Sequence, residues 1–458
     1  MTARGVSPAR AGAVGVLREV LEKGKRATAT LTERSSGLSL LDASLMRELT
    51  LGVLRWKSAL DSELAGAIHF PLSRLAPNLR EVLEVALYQI QFLDRVPQHA
   101  AVDEAVRHAR ESGGVRTAKF VNGVLRHLLR SPGAREARAP AQGLPLPPGE
   151  GRGEGGSEAV KLLALRFSHP EFLVARWIER FGLEAARRIL EADNQASELD
   201  LMANSTQGDR ESLAASLLAE GIAVEPSGIS PIGLVVKKGN LLRSPLFAEG
   251  RFTIQDVGAQ ALPLLLPPGD LLVDLAAAPG GKSFAAVLLG RARRAIALDR
   301  SLSRLRLLLE NRRRLGIGQI HPVAGDLRDL PLPIGRFERV LFDAPCSGTG
   351  TLRKNPEIRY RVTPAAIDRL AAAQCEGLRF ATRLLAPGGY LLYSTCSLEP
   401  EENEIVVDEA LSADASLELV PIAAPPSLAP WVAGARFQIL PGPTNDGFTA
   451  HLLRKRRN

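Results

Sequence analysis

The stretch VDLAAAPGGKS, residues 273–283, decides the fold of the C-terminal part of the chain. It joins the end of an apolar run to a turn with two adjacent glycines, and a helix-forming segment follows. Further apolar runs of strand length occur downstream, with helical segments between them, and this alternation predicts a doubly wound α/β sheet over residues 255–458. The runs are LLVDL ending at Leu275, AIALD at Asp299, RVLFD at Asp343 and GYLLYS at Ser394.

The glycine-rich turn is a candidate ligand site, because such sheets bind ligands beyond the carboxyl ends of their strands. A phosphate-binding loop, GxxxxGK[ST], would need glycine where the chain has Ala276, and the dinucleotide fingerprint GxGxxG is absent. S-adenosylmethionine remains, since it needs a tight turn and an acidic residue for its ribose hydroxyls. Asp299 provides that acid at the end of the next strand. A plain tight turn with a surface lysine is the alternative.

Two of the three cysteines also lie at the ends of predicted strands. Cys346 stands in DAPCSGTG, residues 343–350, and Cys396 stands in YSTCSLEPEENE, residues 393–404. Reactive groups of α/β proteins collect at that edge of the sheet, whereas packing does not require thiols there. Cys375 lies inside a helical run, where we expect a structural role.

Paired thiols beside a methyl donor point to methylation of carbon 5 of cytosine. That carbon is too weak a nucleophile to take a methyl group from a sulfonium, so a thiolate must first add to carbon 6. The negative charge that then builds on the ring needs a counter-group at N3, such as Asp343. After transfer the proton on carbon 5 must leave before the thiol is expelled, and a second group such as Cys346 would assist that step.

Residues 1–135 have the apolar periodicity of helices, with lysine and arginine off the apolar stripes, which predicts an all-α bundle with a basic outer face. The Pro- and Gly-rich segment 136–158 has no apolar face and is expected to be a flexible linker. Residues 159–254 combine helices with short strand-like runs, which predicts a small α+β subdomain. The stripes are Leu45, Leu49, Val53 and Trp56; Leu79, Val82, Leu83, Ala86, Leu87 and Ile90; and Val121, Val124, Leu125 and Leu128.

The composition is that of a globular protein, with 45% hydrophobic residues and a mean hydropathy of +0.01. No apolar run approaches the length that crosses a bilayer, and no apolar signal segment follows Arg4 and Arg10. Three cysteines are too few to cross-link 458 residues, which indicates a reducing compartment. We therefore expect a cytoplasmic monomer with no membrane or metal partner.

The net charge of +8 is concentrated near the N-terminus. Residues 1–135 contain 20 Lys and Arg against 13 Asp and Glu. Such a basic region is typical of proteins that bind nucleic acid, although a solvated surface would carry the same charge. RNA is the partner that we expect.

Together the C-terminal motifs resemble the RNA cytosine-5 methyltransferases of the Sun/Fmu family, in which DAPCSGTG and STCS occur in one chain. The resemblance implies a Rossmann-like methyltransferase domain with S-adenosylmethionine as cofactor. It implies that Cys396 is the nucleophile and that Cys346 aids product release, with Asp343 and Lys282 at the catalytic centre. The cofactor site that it implies comprises Ala276, Ala277, Ala278, Pro279, Gly280, Gly281, Lys282, Asp299, Asp326 and Asp343.

The N-terminal motifs RELTLGVLRW, LYQIQFLDRVPQHAAVDEAV and KFVNGVLR resemble the NusB-type RNA-binding domain. A NusB-like domain joined to a Sun/Fmu-type domain implies small-subunit ribosomal RNA as the substrate. Arg353, Lys354 and Arg359 in LRKNPEIRYR are candidate contacts to RNA phosphates, or else belong to a solvated loop. A nucleotide hydrolase, from GGKS, and a non-catalytic RNA-binding factor, from the NusB-like part, are the alternative functions.

Overall fold

The computed structural model describes most of the chain. The linker predicted at residues 136–158 lies outside the described residues up to position 153, and a helix begins at Glu154. No helix in the described part is long and apolar enough to cross a membrane. The described residues are 5–130, 154–241, 244–329 and 332–457.

Unit 1, one of two compact units, comprises Met1–Gln195 and Leu352–Arg361 and is helical. Leu49, Val53 and Leu83 of the predicted stripes are buried in its core. The predicted all-α bundle is confirmed. Its helices are α1 (Pro8–Lys23), α2 (Ala27–Arg34), α3 (Leu40–Ala67), α4 (Pro77–Phe92), α5 (Gln98–Arg130, broken at Gly114), α6 (Glu154–Phe167), α7 (Glu171–Phe181) and α8 (Leu183–Asp193).

Unit 2 comprises Ala196–Thr351 and Val362–Asn458 and begins with a small four-stranded antiparallel sheet. The Arg314 guanidinium joins this sheet to the rest of the unit, because it donates to the carbonyls of Phe247 and Phe252 at 2.7 and 2.9 Å. A small α+β subdomain is confirmed as a class of fold, whereas the part of its predicted range 159–254 that ends at Gln195 belongs to unit 1. Its elements are β1 (Leu199–Ala203), α9 (Arg210–Ala219), β2 (Ala223–Pro226), β3 (Gly233–Lys238), α10 (Pro245–Ala248) and β4 (Phe252–Ile254), with strand order β2-β3-β1-β4.

The rest of unit 2 is a large sheet with apolar clusters on both faces. Leu272 belongs to the cluster that contains Phe284, whereas the next residue, Val273, belongs to the cluster that contains Leu378. Since successive side chains of a strand point to opposite faces, helices cover both faces and the doubly wound prediction is confirmed. The strands are β5 (Gly269–Asp274), β6 (Ala292–Asp299), β7 (Ile320–Ala324), β8 (Phe337–Asp343), β9 (Leu385–Thr395), β10 (Leu417–Leu419), β11 (Val432–Ala433), β12 (Arg436–Ile439) and β13 (Phe448–Lys455). The helices are α11 (Val257–Ala261), α12 (Gly281–Leu288), α13 (Leu302–Leu315), α14 (Pro364–Arg383) and α15 (Glu404–Ala413).

The strand order of this sheet brings the predicted strand ends together. It runs β11-β12-β13-β9-β8-β5-β6-β7, with β10 paired to β13. The strands β5 to β9 are parallel to their neighbours among themselves, and β10 to β13 pair antiparallel. Because β5 lies between β6 and β8, the chain changes its winding direction there, at the point where such sheets bind ligands. Asp274, Asp299 and Asp343 end these three strands at one edge.

Candidate active site

The turn after β5 is held by buried contacts. Asp274 is buried, and its carboxylate accepts a hydrogen bond of 2.7 Å from the hydroxyl of Ser283. Burial raises the pKa of Asp274 to about 6, against the Ser283 hydrogen bond and the charge of Lys282. Gly280 adopts φ +106°, and a Cβ atom there would lie 2.4 Å from the ring of Phe284. Only glycine therefore fits at the point where α12 begins.

Asp299, at the end of β6, ties this turn to the neighbouring strand. One of its carboxylate oxygens accepts a hydrogen bond from the Ala278 N–H at 3.1 Å, and the other accepts one from the Ser301 N–H at 2.9 Å. Each carboxylate oxygen offers more than one acceptor site, so Asp299 retains capacity for a ribose hydroxyl.

A cavity of about 320 Å³ opens at the carboxyl ends of β5 to β8. This volume lies within the range of small-molecule and cofactor sites. Of the residues predicted to bind the cofactor, Ala276, Asp299 and Asp326 line the cavity. The predicted residues 277–282 and Asp343 do not line its wall.

One wall of the cavity was missed by sequence reasoning. Helix α14 forms this wall with residues at helical spacing, which are Leu370, Ala373, Gln374 and Gly377. That spacing was a usable signal, because residues three and four apart share one face of a helix. In the segment after β7, which also lines the cavity, a hydrogen bond from Arg328 lowers the pKa of Asp326, and the two side chains lie 2.8 Å apart.

Lys282 and Asp343 form an ion pair at the end of β8. The Lys282 ammonium lies 2.7 Å from one Asp343 oxygen, and the Ser394 hydroxyl donates to the other at 2.8 Å. Burial alone would lower the pKa of Lys282, but the charge and hydrogen bond of Asp343 outweigh it and raise that pKa. The pair therefore combines a charged donor with a carboxylate, although sequence reasoning considered Asp343 alone as the counter-group at N3.

The two predicted cysteines are in direct contact. The Sγ atoms of Cys346 and Cys396 lie 3.3 Å apart, and both side chains are half-buried. The hydrogen bond to Cys396, and then burial, raise the pKa of Cys346 well above its usual value. The loops after β8 and β9 therefore present two thiols at one point.

A buried polar network around these thiols was also missed. Glu402 and Gln374 bind the backbone on either side of Cys346, and the Tyr393 hydroxyl donates to the Glu402 carbonyl at 2.7 Å. The acidic stretch after Cys396 was visible in the sequence, but nothing in it indicated which carboxylate turns inward. Burial of that carboxylate depends on partners far away in the chain.

The third cysteine, Cys375, packs in a different environment from the two paired thiols. It packs from α14 against the apolar cluster around Leu378, in agreement with a structural role. Burial, followed by a hydrogen bond to Glu409, raises the pKa of Cys375 to about 12. Both effects disfavour the thiolate, which is the reactive form of cysteine.

The prediction that Arg353 and Arg359 are exposed contacts for RNA phosphates is wrong. Their residues are only 2% and 3% exposed and belong to unit 1. Arg359 donates to the carbonyls of Arg55 and Asp193 at 2.7 and 2.9 Å. Both guanidinium groups are thus enclosed by helices, where buried cations need carbonyl partners.

Comparison with known proteins identifies the family to which this geometry belongs. The model of the 16S rRNA methyltransferase RsmB/F family matches residues 261–454, the NusB family model residues 7–130, and a ferredoxin-like domain model of RsmF/B-like methyltransferases residues 169–241. The chain is 33% identical over 435 residues to the probable ribosomal RNA small subunit methyltransferase B of Bacillus subtilis, covering 92% of this chain and 93% of that protein. It is 31% identical over 460 residues to the ribosomal RNA small subunit methyltransferase B of Pasteurella multocida, covering 97% and 96%. A methyltransferase homologue from Pyrococcus horikoshii of solved structure is 28% identical with a TM-score of 0.55, covering 65% of this chain and 99% of that one.

The chain belongs to the 16S rRNA methyltransferase RsmB/F family, and it is a methyltransferase. The resemblances to Sun/Fmu-type enzymes and to NusB are confirmed. The comparisons do not support a nucleotide hydrolase or a non-catalytic RNA-binding factor. Among the described residues, no group of three or more His, Cys, Asp or Glu could hold a metal ion.

Proposed function

We propose that this methyltransferase transfers a methyl group from S-adenosylmethionine to carbon 5 of a cytosine in small-subunit ribosomal RNA, acting as a cytoplasmic monomer. The contact of 3.3 Å between the Cys346 and Cys396 sulfurs, at the sheet edge that also holds the Lys282–Asp343 pair, carries the proposal. The ribosomal substrate is taken from the relatives, which are named for the small subunit.

The residues of the cavity fit S-adenosylmethionine. Asp299 offers a carboxylate to the ribose hydroxyls, and Ala276 and Asp326 form further parts of the wall. The turn through Gly280 leaves no room for a side chain, so its backbone can approach the amino acid portion of the cofactor. The bound cofactor would supply an activated methyl group. Of the other proposed cofactor residues, Ala277, Ala278, Pro279 and Gly281 shape the turn, and Lys282 and Asp343 lie at its catalytic side.

We assign the attack to Cys396, because the resemblance to the Sun/Fmu enzymes gives this role to the cysteine of STCS, and Cys346 lies in contact with it. The Cys396 thiolate adds to carbon 6, and the electron pair of the C5–C6 double bond moves into the ring. The Lys282–Asp343 pair counters the charge that develops toward N3. Carbon 5 then takes the methyl group as the bond between that group and the donor's sulfur breaks. The carbon 5 proton passes to water, the double bond re-forms, and the Cys396 thiolate departs. Cys346 assists this release, since its sulfur touches the departing one.

Three functional domains follow from the same proposal. We assign residues 1–135 to RNA binding as a NusB-like domain and residues 255–458 to catalysis. We assign residues 159–254 to a small RNA-binding subdomain, although its first three helices, α6 to α8, lie in unit 1. Residues 136–158 join the domains.

Bisulfite sequencing of small-subunit ribosomal RNA from a strain without this protein tests the proposal. We expect a single protected cytosine to lose protection, and to regain it with the wild-type protein but not with Cys396→Ala. In purified form Cys396→Ala should lose methyl transfer by at least about 10³-fold, whereas Cys375→Ala should retain it. An unchanged bisulfite pattern would exclude this RNA, and near-normal turnover of Cys396→Ala would exclude the nucleophile.

A further inference from the structure

We propose that Glu402 is a positioning residue that fixes the Cys346 loop, residues 343–351, against the Cys396 segment, residues 395–403, so that the two sulfurs stay in contact. Nothing in the motifs assigns a role to this carboxylate. The part of the proposal that concerns turnover rests on the proposed function, whereas the part that concerns the distance between the thiols does not.

The Glu402 carboxylate is fully buried and binds the residue that follows Cys346. One oxygen accepts a hydrogen bond of 2.8 Å from the Ser347 N–H, and the other accepts the Ser347 hydroxyl proton. The first oxygen also accepts from the Gln374 amide at 3.0 Å. Three hydrogen bonds therefore converge on this carboxyl group, and two of them hold the residue that follows Cys346.

The peptide before Cys346 is held by the same group of side chains. The Gln374 amide donates to the Pro345 carbonyl at 2.9 Å, in addition to its bond with Glu402. Gln374 is oriented in turn by the Tyr393 hydroxyl, which lies 3.2 Å from its carbonyl oxygen. Both neighbours of Cys346 therefore connect to Glu402, one directly and one through a single side chain.

Glu402 itself is fixed within the Cys396 segment. Its backbone carbonyl accepts the Tyr393 hydroxyl proton at 2.7 Å, and Tyr393 belongs to β9, the strand that leads to Cys396. The next residue, Asn403, accepts from the Thr395 hydroxyl at 2.7 Å and donates to the Ser397 carbonyl at 3.1 Å. Glu402 is thus held in place within the Cys396 segment. Its carboxylate connects that segment to the Cys346 loop.

The hydroxyls of the two residues that follow the cysteines also touch. The Ser347 and Ser397 Oγ atoms lie 3.2 Å apart, and Glu402 holds the Ser347 hydroxyl in place. A further bond, from the Gly350 N–H to the Cys396 carbonyl at 2.9 Å, closes the far end of the loop. Glu402 is the one carboxylate among these contacts, and its loss would remove the acceptor of the Ser347 N–H.

The distance between the thiols can be measured without methyl transfer. Hydrogen peroxide takes two electrons and two protons from the thiols of Cys346 and Cys396, which forms a disulfide bond, and is itself reduced to water. In a Cys375→Ser background only this pair can form a disulfide within the chain, and mass spectrometry follows the loss of two hydrogen atoms from the peptides that carry it. We expect Glu402→Gln to form the disulfide about tenfold more slowly, because an amide has a single acceptor oxygen and can no longer accept all three donors that meet Glu402.

The kinetic arm separates positioning from cofactor binding. Glu402→Gln should lower kcat about tenfold and leave KM for S-adenosylmethionine unchanged, because Glu402 does not line the cavity. Ser347→Ala removes the hydroxyl donor and keeps the backbone N–H, so it should show smaller losses of about threefold in both measurements. This second variant keeps the test open if Glu402→Gln fails to fold.

Glu404→Gln is the matched control, because Glu404 starts α15 directly after the Cys396 segment and its carboxylate pairs with Arg436 at 2.9 Å. It should oxidise and turn over like the wild type. Equal rates for Glu402→Gln and Glu404→Gln would overturn the proposal, as would lost turnover with unchanged disulfide formation. If the wild type itself transfers no methyl group, the oxidation rates alone decide, so failure of the proposed function remains distinguishable.

Discussion

The loop that carries Cys346 and the ten residues that follow it, Leu352–Arg361, are neighbours in sequence and use buried polar groups for different ends. In the loop, Glu402 and Gln374 from other segments bind the backbone and leave a half-buried thiol presented. In the segment that follows, the buried polar side chains belong to the segment itself. The hydrogen bonds described for them are with backbone groups, and none of these contacts positions a reactive atom. Polar, turn-rich sequence thus supports two different roles within twenty residues.

The second segment uses its charges on helix ends in unit 1. Arg359 donates to the carbonyls of Phe167 and Asp193, the last residues of α6 and α8, at 3.3 and 2.9 Å. Glu357 accepts from the N–H of Ala27, the first residue of α2, at 3.0 Å. Helix carboxyl ends carry unpaired carbonyls and partial negative charge, and amino ends carry the reverse. The Arg359 cation is therefore stabilised by helix carboxyl ends, and the Glu357 anion by a helix amino end, although both side chains are buried.

The largest expected effect comes from a substitution in the loop that carries Cys346. In Cys346→Ala the thiol beside the departing sulfur is gone, so we expect turnover to fall by at least about 10³-fold while attack by Cys396 continues. Enzyme should then accumulate as a covalent RNA adduct, which migrates slowly on a denaturing gel. Cys375→Ala, which removes a thiol packed in α14, should show neither change. A Cys346→Ala variant that turns over slowly without any adduct would contradict the release role.

The sequence sufficed for the parts of the site that depend on local pattern. Strand ends at Asp299 and Asp343, and the turn at Gly280, followed from apolar runs and paired glycines, because periodicity and backbone freedom are properties of a few consecutive residues. The contact between the thiols also agrees with parallel strands that end at one edge. These features needed no knowledge of distant partners.

The remaining parts depend on pairs of residues far apart in the chain. Glu402 meets Ser347 across 55 positions, and Arg359 meets Asp193 across 166. From sequence alone, a carboxylate or guanidinium group is predicted to be exposed to solvent. Its burial depends on donors or acceptors that only the tertiary fold supplies. This is why the phosphate-contact prediction for Arg359 was wrong and why Glu402 was missed.

A smaller effect, on stability, is expected from a substitution in the segment Leu352–Arg361. Arg359→Ala removes the buried guanidinium that donates to the Arg55 and Asp193 carbonyls and leaves a space in unit 1. We therefore expect the free energy of unfolding of unit 1 to fall by about 3 kcal/mol. Urea denaturation of the full chain measures this through Trp56 and Trp177, which are buried in unit 1, in a background where Trp431 of unit 2 is replaced by Phe.

Arg361→Ala is the control within the same segment. Its side chain is 34% exposed and lies 3.5 Å from Glu357, so its loss should cost less than about 1 kcal/mol. Equal losses for Arg359→Ala and Arg361→Ala would mean that burial of the guanidinium is not what anchors the segment.

The smallest expected effect sharpens how Arg359 is held, through the buried pair of His169 and Asp193. The His169 Nδ1 atom lies 2.7 Å from the Phe167 carbonyl and must donate to it, so in the neutral ring Nε2 accepts. Asp193 lies 3.3 Å from Nε2 and is the matching donor when protonated. Burial, opposed by the charge of Arg359, raises the pKa of Asp193 to about 7, and burial followed by Arg359 lowers the pKa of His169 well below its usual value.

Asp193→Asn imitates the protonated acid and should therefore remove one pH dependence of unit 1. In the wild type, the stability from protonated Asp193 is complete below its ordinary pKa of 3.8 and is lost as pH rises through about 7. Urea denaturation across this window should show Asp193→Asn gaining about 1–2 kcal/mol on the wild type. His169 titrates in both proteins, so their difference isolates Asp193. A difference that stays flat with pH would mean that Asp193 is ionised in the folded unit, and that Arg359 is held by its charge as well as by the carbonyls.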